Sequence, residues 1–194
     1  MGWSTADVTV ATTALVATSS SGLAAASDGA LAASAADLET CRALLAAGSK
    51  SFHAASWLLP RALRGPAAAV YGFCRVSDDA VDEAEARGAD PIAELQALHE
   101  RLDAIYAGRP ADDPVDRAFA VVVARYGIPR AAPEGLLDGY RWDVEGRRYR
   151  QPGDTVAYGA RVASTVGLMM TALMGIEGPR GPVGDPALRR QVFA

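Results

Sequence analysis

Residues 71–82 read Tyr71-Gly72-Phe73-Cys74-Arg75-Val76-Ser77-Asp78-Asp79-Ala80-Val81-Asp82. Just before and within this stretch, Val70, Phe73, Cys74, Ser77 and Val81 recur every three or four positions, the mark of a helix with one packed stripe. One position further round, Tyr71, Arg75, Asp78 and Asp82 make a second stripe at spacings of four, three and four. Side chains so spaced share a helix face. A tyrosine, an arginine and two carboxylates thus line up beside the core-facing surface instead of opposite it. Asp79 and Glu83 fall off both stripes and are expected to point elsewhere. An acidic run near a helix end is commonly a solvated face, but such a face rarely shares its stripe with a tyrosine beside a core.

Helix punctuation continues in both directions. Pro66 stands where a first helical residue belongs, and the helix it opens is expected to reach about Ala86, before Gly88. Upstream, Asp37 is expected to cap a helix through Leu38, Leu44 and Leu45 that stops at Gly48, and residues 49–59 form a second, mostly apolar stretch closed by Pro60. Downstream, Asp90-Pro91 is a cap followed by proline at the first helical position, ahead of Ile92, Leu95, Leu98, Leu102 and Ile105. Asp113-Pro114 repeats that signal, with a stop at Gly127-Ile128-Pro129. Pro133 and Asp154 are expected to open two more helices, the latter through Tyr158, Val162, Val166, Met169 and Leu173 towards Gly175. No run alternates with period two, so the fold class is all-α.

Beyond these lie two segments of different character. Residues 1–36 are dominated by Ala, Ser, Thr and Gly and read as a flexible leader without chemistry. Residues 37–194 form the domain. Asp185-Pro186 announces a further helix, and the chain reaches Ala194 without a stop signal, as expected of a sequence cut in mid-helix.

Composition narrows the function. The 194 residues carry a net charge of −4, which argues against a nucleic-acid partner. Cys41 and Cys74 have no CxxC or Cys/His partner nearby, so free thiols in a reducing compartment are expected. Residues 8–18 are too short and too rich in Thr and Ala to span a membrane. The first basic residue is Arg42, so a secretory n-region is missing. A cytoplasmic protein is expected, drawn at most to the membrane periphery by its substrate.

The second stripe suits a diphosphate. Magnesium takes hard oxygen ligands and is commonly held by one or two carboxylates together with substrate phosphates and water. Asp78 and Asp82, four apart, can hold Mg2+ (or Mn2+), and Arg75 one turn earlier can fork onto phosphate oxygens.

Residues 71–82 also resemble the first aspartate-rich motif of the squalene/phytoene synthase family. Ser49-Lys50-Ser51-Phe52 resembles the short serine-rich element before it, and Asp143-Val144-Glu145-Gly146-Arg147-Arg148-Tyr149 the stretch leading to the second half of that family's site. Residues 158–170, from Tyr158 to Met170, resemble its central tyrosine/valine/glycine helix as found in bacterial phytoene-forming members. Four elements in the right order make the resemblance specific, and it covers residues 38–194. It departs at Gly48, where many relatives have histidine, at Gly159-Ala160 and at Ser164.

The resemblance implies an isoprenoid-synthase-type helical bundle, incomplete at its C-terminus. It implies that Asp78 and Asp82 are metal ligands, that Arg75 contacts the diphosphate with Ser49, Lys50 and Ser51 near it, and that Tyr71 lines the site. Tyr158 would face the reacting carbons, and Val162, Val166 and Gly167 would shape the prenyl channel; Met169 and Met170 read as core. The implied reaction condenses two geranylgeranyl diphosphates to phytoene. The alternatives are a squalene- or dehydrosqualene-type reaction on farnesyl diphosphate, or a non-catalytic assembly module. The family's second aspartate-rich motif does not follow Gly167, so little or no turnover is expected of this chain alone. Oligomeric state is left open.

Overall fold

The computed structural model describes residues 33–175. The start of the leader and the Asp185-Pro186 helix lie outside them. Eight α-helices follow one another: α1 (Ala35–Gly48), α2 (Lys50–Ser56), α3 (Arg61–Asp82), α4 (Pro91–Tyr106), α5 (Pro114–Tyr126), α6 (Ala131–Val144), α7 (Pro152–Gly159) and α8 (Thr165–Leu173). A 3-10 turn at Glu85–Arg87 follows α3, and a π-type turn at Ala160–Ser164 joins α7 to α8. No strand occurs among the described residues.

The caps explain most boundaries. Asp90 and Asp113 each accept a backbone N–H from the first turn they precede, with Pro91 and Pro114 behind them, and Gly127 ends α5 in the left-handed region at φ 61°. Other starts differ from the sequence expectation. Asp37 does not cap α1. Ser34 does, accepting from the Asp37 N–H, while the Asp37 carboxylate reaches back to the Ser34 N–H, a reciprocal capping box. Helix α1 therefore begins inside the segment read as leader. Pro66 does not open α3. The helix starts at Arg61 behind Pro60, and Pro66 lies within it. Proline there gives up one ladder hydrogen bond, and Gly65 before it has no Cβ to meet the ring. The helix also ends at Asp82, short of Ala86. The helices expected to open at Pro133 and Asp154 start two residues earlier, at Ala131 and Pro152.

The core is continuous. α1 and α5 pack on α3, α4 packs on α5 and α6, and α6 packs on α8 and the π turn. Phe73 of α3 stacks on Phe119 of α5 with centroids 4.2 Å apart, both fully buried. Met169 joins this core, as its helical spacing implied, and Met170 is half-buried against it. Two buried carboxylates cross-link helices. Asp37 is held by Arg117 of α5 at 2.6 Å, and Asp116 by Arg101 of α4 at 2.6 Å. Each buried charge is thereby paired and hydrogen-bonded.

One side is less covered. Among the described residues a single helical run, Pro152–Leu173, is long and apolar enough by length and composition to cross a membrane, with 17% of its most apolar window buried. Asp154 and Arg161 are its only charged residues.

Candidate active site

A cavity of about 510 Å³ opens between α3, α6 and the α7–α8 run. Helix α3 supplies Tyr71, Cys74, Arg75, Asp78 and Asp82; α6 supplies Leu136, Tyr140 and Asp143; the α7–α8 run supplies Tyr158, Val162 and Val166. The stripe read from the sequence is thus one wall of a cavity, and its two aspartates face the same space.

Like charges crowd this wall. Burial, and then the neighbouring Asp82, push the Asp78 carboxyl above the usual carboxylate range; Arg75 opposes this, while Asp79 and Asp143 add to it. Arg75 has a partner the sequence did not suggest. Its guanidinium lies 2.6 Å from Asp79 and 3.7 Å from Asp78. Asp79 therefore does not point idly away: it holds Arg75 beside the metal-ligand candidates, because a long side chain bends to an acid one turn on.

The opposite wall is aromatic and apolar. Tyr158 donates its hydroxyl to Asp143 Oδ2 at 2.8 Å. Burial first, then that hydrogen bond and the Asp143 charge, raise the phenol well above its ordinary range, so Tyr158 is a neutral donor. Its ring stacks on Trp142 at 6.4 Å and meets Tyr149 at 5.2 Å. Arg147 and Arg161 lie over Trp142 at 3.7 and 4.4 Å, fixing this cluster through cation–π contacts. Tyr140 donates to the Cys74 carbonyl at 3.2 Å and ties α6 to α3. Burial pushes the Cys74 thiol up to about 12 and the Cys41 thiol up to about 11, so neither is a ready nucleophile. No disulfide joins them.

The remaining sequence candidates lie elsewhere. Ser49 caps α2 by accepting from the Phe52 N–H at 3.2 Å, its Oγ sits 3.3 Å from that of Ser51, and Lys50 is exposed. None of the three lines the cavity. Their neighbour Phe52 packs edge-on against the Tyr71 ring of the lining at 6.2 Å. A Cβ on Gly48 would come within 2.3 Å of the Tyr71 hydroxyl, so that glycine seats the tyrosine. Gly167 is exposed and also outside the lining. Asp143 and Tyr140 were missed as site residues. Leu136, Tyr140 and Asp143 repeat the four-then-three spacing of the α3 stripe, a signal that was present in the sequence.

The donor set fits a hard divalent cation. Asp78 and Asp82 offer only oxygens, and a cation would relieve the crowding that raises Asp78. Among the described residues no three His, Cys, Asp or Glu side chains come close enough to hold an ion by themselves.

An all-helical scaffold with paired carboxylates facing a tyrosine and an apolar helix defines an isoprenoid-synthase-type protein. The squalene/phytoene synthase family model matches residues 45–190. The chain belongs to the squalene/phytoene synthase family. It is 54% identical over 144 residues to a phytoene synthase of Rhodobacter capsulatus, covering 74% of this chain and 42% of that protein. It is 50% identical over 150 residues to the one of Cereibacter sphaeroides, with the same coverage. The chain thus spans about two fifths of the length of these curated relatives. Among solved structures it resembles a dehydrosqualene synthase (TM-score 0.64, 32% identity, 71% of this chain and 47% of that one). It also resembles the squalene synthase HpnC of Alicyclobacillus acidocaldarius (TM-score 0.68, 29% identity, 81% of this chain and 56% of that one).

Proposed function

We propose that the protein condenses two geranylgeranyl diphosphates head to head into phytoene, releasing two diphosphates and two protons, as a magnesium-dependent prenyltransferase. One observation carries this reading: Arg75, Asp78 and Asp82 share a cavity with Tyr158, Val162 and Val166. A charged α3 wall for a diphosphate thus faces a tyrosine and two valines that suit a prenyl chain. The phytoene synthases at 50–54% identity favour the geranylgeranyl substrate.

In this reading Asp78 and Asp82 hold magnesium, or manganese in its place, which when bound offsets the charge growing on the departing diphosphate. Arg75 turns from Asp79 to phosphate oxygens. Tyr158, neutral and fixed by Asp143, presents ring and hydroxyl to the allylic cation left when the carbon–oxygen bond breaks, and guides the final proton loss. Val162 and Val166 exclude water from that cation. Tyr71 closes the metal end, and Ser49, Lys50 and Ser51 steady it from behind. The described residues supply one carboxylate wall, so turnover belongs to the whole protein. The protein works in the cytoplasm at the membrane edge.

The structural neighbours named dehydrosqualene synthase and squalene synthase favour a second reading, the same chemistry on farnesyl diphosphate. Calorimetry with non-hydrolysable geranylgeranyl and farnesyl diphosphate analogues tests both. Binding should require Mg2+, prefer the longer chain, and weaken about tenfold or more in Asp78→Asn. Metal-independent binding unchanged in that variant would falsify the proposal.

A further inference from the structure

A second cavity, of about 250 Å³, lies between α1, α2 and the start of α3, apart from the carboxylate cavity. Arg42, His53, Trp57, Arg61 and Arg64 line it, and no carboxylate does. Between residues 38 and 77 the only acid is Glu39, against Arg42, Lys50, Arg61, Arg64 and Arg75, although the chain as a whole is acidic. Glu39 pairs with Arg42 at 3.1 Å. Arg61 has no ion-pair or hydrogen-bond partner among the described residues, and its side chain is exposed.

Beside this basic cavity stand two large apolar side chains. Trp57 is 63% exposed and Leu58 88% exposed. They sit on a fixed turn. Trp57, Leu58 and Leu59 donate backbone N–H groups to the carbonyls of Ala54, Ala55 and Ser56. Arg64 donates to the Trp57 carbonyl at 2.8 Å and to that of Leu59 at 3.1 Å, with its guanidinium 5.1 Å from the Trp57 ring centre. The arginine thereby locks the turn that presents the two side chains to solvent.

We infer that this corner is a membrane-docking site in which Arg42, Arg61 and His53 receive the phosphate of an anionic phospholipid headgroup while Trp57 and Leu58 enter the interface. Guanidinium groups fit phosphate oxygens in forked geometry. Tryptophan favours the headgroup level of a bilayer, and a rigid apolar tip flanked by arginines combines the two attractions that peripheral binding needs. The inference does not depend on the reading of the carboxylate cavity.

Flotation of the 194-residue chain with phosphatidylcholine vesicles, with and without about one third phosphatidylglycerol, tests it. Binding is expected only to the anionic vesicles and should weaken with salt. Arg61→Glu should weaken it roughly thirtyfold, since one positive charge is lost and one negative charge gained. Leu58→Asp should weaken it by about tenfold. Both positions are exposed, so far-UV helicity should be unchanged. Quenching by brominated acyl chains should fall in Trp57→Phe while binding persists. Equal binding to neutral vesicles, or retention of binding in both Arg61→Glu and Leu58→Asp, overturns the inference. So does protection against thermal unfolding by inorganic phosphate, lost in Arg61→Glu, without any vesicle binding, which would assign the cavity to a free anion.

Discussion

Asp37 shows how much one side chain can carry. It closes the capping box of α1 and, almost fully buried, takes two hydrogen bonds from Arg117 of α5. That guanidinium, with the help of Ser34 and against the effect of burial, lowers its carboxyl to about 2. A carboxylate depressed on folding contributes stability above its unfolded pKa near 3.8, and that contribution fades as pH falls through the folded value. Asp37→Asn should therefore melt lower than the parent at pH 7. The gap should close between about pH 4 and pH 2, where the parent residue also becomes neutral. Thermal melts across that range check this, and a gap constant down to pH 2 would refute it. Asp143 matters by a different route: it is exposed, yet it orients Tyr158 and faces Asp78.

At the scale of elements, the π turn is the decisive feature. In a continuous α-helix the eight steps from Tyr158 through Val162 to Val166 would drift by about 80°. The wider π turn lowers the rotation per residue, so all three line one cavity. The turn is seated against α6 at Gly139, where a Cβ would lie 2.5 Å from Val162 Cγ1 and 3.2 Å from Arg161 Cβ. Gly139→Ala should thus destabilise by about 1 kcal/mol, overpacking outweighing the better helix propensity of alanine. That corresponds to a fall of roughly 2–4 °C in melting temperature. Gly159→Ala, where nothing stands within 4 Å, should raise it instead. Calorimetric scans of the pair check the contrast in sign; two shifts in the same direction would contradict this account of the contact.

For the described residues as a whole, the helices bury one side well and leave another open. The Pro152–Leu173 run lines the cavity with one face, while Val156 is 72% and Met174 43% exposed. Exposed apolar surface of this extent promotes association. Light scattering of the 194-residue chain should therefore show concentration-dependent mass, reduced when Val156 and Met174 both become lysine. An unchanged mass profile in that double variant would mean that association, if present, uses another face.

Sequence alone determined the all-helical class, since caps such as Asp90-Pro91 and Asp113-Pro114 and the three-and-four apolar spacing are local signals that tertiary packing had no reason to override. It also placed Tyr71, Arg75, Asp78 and Asp82 on one ridge, because that follows from helix geometry. It misread the starts at Asp37 and Pro66, where a buried ion pair with Arg117 and the absent Cβ of Gly65 alter what those residues do. Only the tertiary structure brought Asp143, Tyr158 and the two valines opposite that ridge, and packed Phe52 of α2 on Tyr71. These depend on distances between helices far apart in sequence, and no local spacing encodes them.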